Sequence, residues 1–194
     1  MRRTIGWKDA TFVEDEMVLN SDQILAMGLI SQGMNISSLR DCGYDLTIST
    51  LLGKTDAGSI EENTDDFDLN PQGIALAVSE EILKLPENVC AHVLVKTSLC
   101  REGILAINIG VVDPGWQGPI SSILLNFGKS AYRLKKGEAF LRLTFHTLEK
   151  PAQPGSRTVV DRARYTEDVR RKFDKRLSDS FMDFEKAAKK ASDH

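Results

Sequence analysis

Apolar residues in this chain fall into short runs broken by turn residues. The runs read GYDLTIST, GIALAVSEEILKLP, NVCAHVLVKTSL, GILAINIGVVD, GPISSILLNFG, SAYRLKKG and EAFLRLTFHTLE, between residues 43 and 149. Runs of this length at this spacing predict the strands of an all-β barrel or sandwich, not a parallel α/β sheet. Residues 53–68, rich in Asp, Glu, Thr and Gly, read as an exposed loop. Ahead of the strands, NSDQILAMGL at 20–29 predicts a short helix capped by Asn20 or Ser21, with Ile24, Leu25 and Leu29 on one side.

The tail changes period. PAQPGSR, 151–157, has the composition of a linker. Beyond it Val169, Phe173, Leu177, Phe181, Phe184 and Ala188 recur every three or four residues, which predicts an amphipathic helix over 166–190. That stripe needs a surface to cover it, on the body of the same chain or on a neighbouring subunit. The organisation is therefore a β domain over 1–150, a linker over 151–165 and a helical tail over 166–194.

Composition narrows the function classes. At 194 residues, 41% hydrophobic and 27% charged, the chain has the make-up of a globular domain. Its formal charge of -3 gives no general attraction to nucleic acid or anionic lipid, so an anionic ligand needs a local cationic site. Cys42, Cys90 and Cys100 lack paired spacing and read as reduced thiols. His92, His146 and His194 stand apart in sequence, and the H-x-E and P-C-x-x-C pattern of zinc-dependent base deaminases is absent. With no signal-peptide pattern and no apolar run of about 20 residues, a cytoplasmic protein with no membrane contact is expected.

Four segments hold candidate chemistry. In DCGYDL, Tyr44 and Asp45 precede a strand; Asp45 reads equally as a solvated strand start. VKTSLCREG places the Thr97 and Ser98 hydroxyls between Lys96 and Arg101, the donor mix that phosphate oxygens accept, although a basic turn is also ordinary surface. GVVDPGWQG carries Asp113 in a strong turn signal beside Trp116, whose ring suits stacking on a flat base. KKGEAFLRLTF brings Lys136, Glu138 and Arg142 to the start of a strand.

Taken in order, these segments resemble the motifs of the trimeric dUTPase and dCTP deaminase superfamily over residues 20–151. GYDL looks like the first shared motif, GVVDPGWQG the third and GEAFLRLTF the fourth, while 69–104 is similar to the deaminase branch ahead of its R-S-S-L-A-R-x-G motif. The resemblance implies a dUTPase-like distorted, jelly-roll-like β-barrel with a short N-terminal helix and a C-terminal amphipathic helix. It also implies a homotrimer with shared active sites and a pyrimidine deoxynucleoside triphosphate as ligand.

Within the superfamily, deaminases rely on a glutamate in the strand after D-P-G-W to move protons, and alignment puts Ile123 there. The dUTPase form has an aliphatic residue at that position and matches ISSILLN. The expected reaction is therefore Mg2+-dependent hydrolysis of dUTP, or a related triphosphate, to monophosphate and pyrophosphate. The alternatives are dCTP deamination and a non-catalytic nucleotide-binding or regulatory member. By the resemblance, Asp113 activates water and Asp45 holds Mg2+ through water. Lys96, Thr97, Ser98, Arg101, Asn108, Trp116 and Arg142 bind substrate. Lys96 and Arg142 depart from the usual Arg and Gln, and the glycine-rich fifth motif is missing, with Arg157, Arg162 and Arg164 as the tail's anion-reaching cations.

Overall fold

The computed structural model describes residues 18–54, 60–63, 66–107, 110–152 and 160–176. In chain order the strands are β1 (Ile30–Gln32), β2 (Leu39–Arg40), β3 (Gly43–Lys54), β4 (Ile60–Asn63), β5 (Asp66–Leu69), β6 (Ile74–Ser79) and β7 (Ile82–Lys84). They continue with β8 (Val89–Val95), β9 (Ile104–Ala106), β10 (Val111–Val112), β11 (Gln117–Gly118), β12 (Ser121–Asn126), β13 (Tyr132–Lys135) and β14 (Ala139–Thr147). The helices are α1 (Ser21–Ala26), α2 (Thr97–Arg101) and α3 (Arg162–Arg176). The fold is mainly β, a curled half-barrel with few helices. Its main sheet runs β10-β8-β14-β3-β6-β12-β9, with β2 and β4 also on β3, and there are two small sheets, β1-β7-β11 and β13-β5.

Curling is built into β3. Its first half pairs β14 through Tyr44 to Thr47, and its second half pairs β6 through Ile48 to Gly53. Register shifts between Ile48 and Thr50, and between Ala139 and Leu141, mark the corner, as bulges do where a sheet must bend. Glu81, fully buried, staples this corner: its carboxylate accepts from Thr47 N at 2.9 Å, Thr47 Oγ1 at 3.0 Å and Tyr44 Oη at 3.3 Å. Burial raises its pKa, and the bonds from Thr47 and Tyr44 oppose that only in part.

Alternation along the strands sorts side chains between core and surface. Tyr44, Leu46 and Ile48 of β3, Val89, Ala91 and Val93 of β8, and Leu141, Leu143 and Phe145 of β14 form the interior. β6 is buried at every position because its second face is also covered: Ile74 and Leu76 join Leu52, Leu125 and Phe173 in a separate cluster, with Ile123 and Val169 packed against it. The tail's stripe thus docks on its own chain at Val169 and Phe173, while Leu177, Phe181, Phe184 and Ala188 lie outside the described residues.

Two expectations change. The predicted loop contains β4 and β5: in DFDL, Phe67 and Leu69 sit inward from Asp66 and Asp68, and Arg133 of β13 reaches those acids at 3.3 and 3.5 Å. Charge on an edge strand is compatible with pairing when the partner strand answers it. α3 begins at Arg162, not Thr166, because Asp161 caps it, accepting Arg164 N at 3.0 Å. In α1, Asn20 and Gln23 form a reciprocal capping box, and Ile24 is buried while Leu25 is exposed.

Truncating Phe173 to Ala removes the only fully sequestered side chain described on α3 and should lower urea-denaturation stability by about 3 kcal/mol. A change within experimental error would mean α3 does not hold to the sheet. Because folded Glu81 keeps its proton to higher pH than the unfolded chain does, its contribution to stability declines as pH rises through its raised pKa. Glu81→Gln cannot titrate, so its Tm profile from mildly acidic to neutral pH should be flatter than the native one.

Candidate functional site

The first motif has a structural reason at each residue. Gly43 lies where a Cβ would run into the Leu143 carbonyl of β14, so only glycine lets the strands approach. Tyr44 and Leu46 turn into the core, which forces Asp45 to the opposite face, where its carboxylate is nonetheless 1% exposed. Three cations cover it. Arg142 donates from Nε to Oδ1 at 2.7 Å and from Nη2 to Oδ2 at 3.1 Å. Lys96 Nζ reaches Oδ2 at 2.6 Å and Arg40 Nε the same oxygen at 2.9 Å. Burial on its own would raise the Asp45 pKa; the hydrogen bonds and charges of Arg142 and Lys96 outweigh it and hold the carboxyl below its usual range.

Lys96 sits where β8 ends and α2 begins, its backbone N bonded to Phe140 O at 3.2 Å. The expected basic turn is a single helical turn, anchored by buried Leu99, with Thr97 and Ser98 at its start. Lys96, Thr97, Ser98 and Arg142 line one cavity of about 320 Å³ with Leu94 and Val95. Four residues picked out from sequence are thus brought together. Arg101 lies exposed in the last turn of α2 and is not among the lining residues. Asn108 falls outside the described residues.

Asp113 and Trp116 belong to a different place. Trp116 N bonds back to Asp113 O at 3.3 Å, with Pro114 second and Gly115 third at φ 79°, the arrangement of a type II turn. Gly115 and Gln117 line another cavity, of about 480 Å³, with Lys84 and Glu87. The Asp113 side chain is exposed. Trp116 packs on the core, gives its Nε1 to Gly118 O at 3.2 Å and meets Tyr165 of α3 edge-on at 6.2 Å.

Asp45 does not suit a hydrated magnesium ion. Its two oxygens already take four donors, about the capacity of a carboxylate, and the three cations around it repel a divalent ion. Among the described residues no group of three or more His, Cys, Asp or Glu is placed to hold a metal. Two further features were not singled out in sequence. Arg40 reaches Asp45 across the β2–β3 hairpin, where it pairs with Gly43. The rings of His92 and His146, far apart in sequence, lie 4.4 Å apart on the outer face of β8 and β14, and burial followed by the His92 charge lowers the pKa of His146. The three cysteines are free thiols.

Among known proteins, the dCTP deaminase of Thermococcus kodakarensis is 32% identical over 123 residues, covering 60% of this chain and 74% of its own. A protein of Methanobrevibacter smithii named dCTP deaminase, dUMP-forming, is 33% identical over 88 residues, 45% of each chain. The crystal structure of the 2'-deoxycytidine 5'-triphosphate deaminase of Agrobacterium tumefaciens superposes with a TM-score of 0.59 at 13% identity, over 69% of this chain and 48% of that one, which shows a shared fold.

These matches overturn dUTP hydrolysis as the main expectation. The physical reason lies at Ile123, whose aliphatic side chain carried that choice. It packs against the Leu52, Leu76 and Phe173 cluster with Val169 of α3, so an aliphatic residue there has a packing reason of its own and does not point to dUTP hydrolysis. Among the described residues no helix is long and apolar enough to cross a membrane. A family model described as dCTP deaminase-like matches residues 28–148, well over half of the sequence, and the chain belongs to that family.

Proposed function

We propose that the protein binds dCTP and deaminates it, exchanging the exocyclic amine of cytosine for oxygen from water to give dUTP and ammonia. The observation that carries this reading is the Lys96, Thr97, Ser98 and Arg142 cavity, which lies inside the segment matched by the deaminase-like family model. Ammonium, guanidinium and hydroxyl donors converging on one cavity suit phosphate oxygens, because charge-assisted bonds to phosphate are stronger than neutral ones. No step is assigned to magnesium.

One observation favours a second reading, in which dCTP is bound without being turned over. The family's proton-moving glutamate would stand at position 123, and an isoleucine there transfers no proton. None of the described residues lining the Lys96 cavity is a carboxylic acid. A deaminating chain must then draw its acid and base from outside that cavity. Asp113 of a neighbouring copy is the candidate we propose, since its turn and the cationic cavity line different parts of one chain. Such sharing requires a homo-oligomer, with three copies expected.

Purified protein incubated with dCTP, with and without a chelator, should release ammonia in both cases; pyrophosphate is followed in parallel. Saturable dCTP binding with no ammonia establishes the second reading, and absence of binding removes both. Analytical ultracentrifugation should return a trimer. Asp113→Asn should then lower turnover at least tenfold with little change in dCTP affinity. A monomer that turns over normally would end the shared-site proposal.

A further inference from the structure

The cluster around Asp45 has a charge balance and an orientation that the family motifs do not explain. Arg40, Lys96 and Arg142 come from three strands or strand ends and meet one carboxylate, leaving two positive charges in excess. The Asp45 side chain is 1% exposed, whereas those of Arg40, Lys96 and Arg142 are 43%, 16% and 38% exposed. The acid lies beneath and the cations face outward. Arg40 is also fixed from behind, its Nη1 donating to Ser37 O at 2.7 Å and to Leu39 O at 3.0 Å. Asp45 occupies only two of the five N–H donors of Arg142 and one of the three of Lys96.

We infer that Asp45 is a positioning residue: it touches no ligand, but sets Lys96, Arg142 and Arg40 as a cradle whose excess charge matches two adjacent phosphates, so that the ligand segment held here is a diphosphate unit. Internal phosphates of a nucleotide carry one negative charge each, which answers the two uncompensated cations. Both guanidiniums are held at Nε by the acid, which orients their planar forks for phosphate oxygens. Lys96, held on the same carboxylate, supplies a point charge. Arg40, 43% exposed and not among the described lining residues of the cavity, is the cradle's outer cation and extends its reach along the ligand.

The inference rests on reading this cavity as the nucleotide site, and its test uses inorganic probes so that it stands apart from turnover. Isothermal titration calorimetry of the full chain should show pyrophosphate binding at least tenfold tighter than phosphate. Asp45→Asn should reduce that preference at least fivefold. The ratio is the deciding quantity because partial unfolding lowers the active fraction without changing the relative affinity of two ligands. Arg40→Gln should weaken pyrophosphate more than phosphate, with circular dichroism unchanged.

An Asp45→Asn chain with native preference, or with tighter pyrophosphate binding, overturns the inference, since the acid would then be a competitor for the cations. If that variant does not fold, Arg40→Gln and Arg142→Gln decide: unchanged pyrophosphate affinity in both overturns it equally. Ammonia release from dCTP with an Asp45-independent phosphate preference sinks the cradle and leaves the deaminase reading. An Asp45-dependent preference without dCTP binding does the reverse.

Discussion

A carboxylate sealed behind three cations joins the parts of this molecule that sequence keeps furthest apart. Asp45 on β3 binds Arg40 on β2, Lys96 after β8 and Arg142 on β14, so the hairpin and both strands flanking the candidate cavity are tied at one point. An isolated charge could not be buried here; its desolvation cost is several kcal/mol, and the arrangement exists because several hydrogen bonds meet it. The alternation of β3 makes the burial unavoidable. With Tyr44 and Leu46 committed to the core, Asp45 must stand on the other face, where β2, β14 and the end of β8 supply the cations that surround it.

A second constraint acts two to five residues further along β3, at its bend. There the strand leaves β14 for β6, and the bend relies on the Glu81 carboxylate gripping Thr47 and Tyr44. Past the bend both faces of β6 are apolar, one facing the barrel and one facing α3. The tail therefore completes the sheet's outer surface. Its contact reaches the D-P-G-W turn as well, since Tyr165 meets the Trp116 ring and bonds Ser121 at 2.9 Å.

Much of this was legible in the sequence because strand alternation and turn chemistry are local. The runs from GYDLTIST to EAFLRLTFHTLE all contain strands, and the Lys96–Ser98 segment and Arg142 do share a cavity. What escaped was set by partners distant in the chain. DFDL reads as a loop until Arg133 answers its acids from β13. Arg40 is an unremarkable surface arginine until the hairpin folds it onto Asp45. Ile123 looked like evidence about a reaction because its neighbour Phe173 lies fifty residues away and comes into contact only when α3 docks. The start of α3 hides for a smaller reason: Asp161 lies inside the 151–165 linker, although Asp is a strong N-cap.

The packing around position 123 also constrains the ways this lineage can change. A single substitution to glutamate there would set an ionisable group partly against the apolar cluster that holds Leu76 and Phe173, where burial raises the cost of its charge. An acid on that strand face would therefore loosen the seat of α3, which couples residue 123 to the docking of the tail.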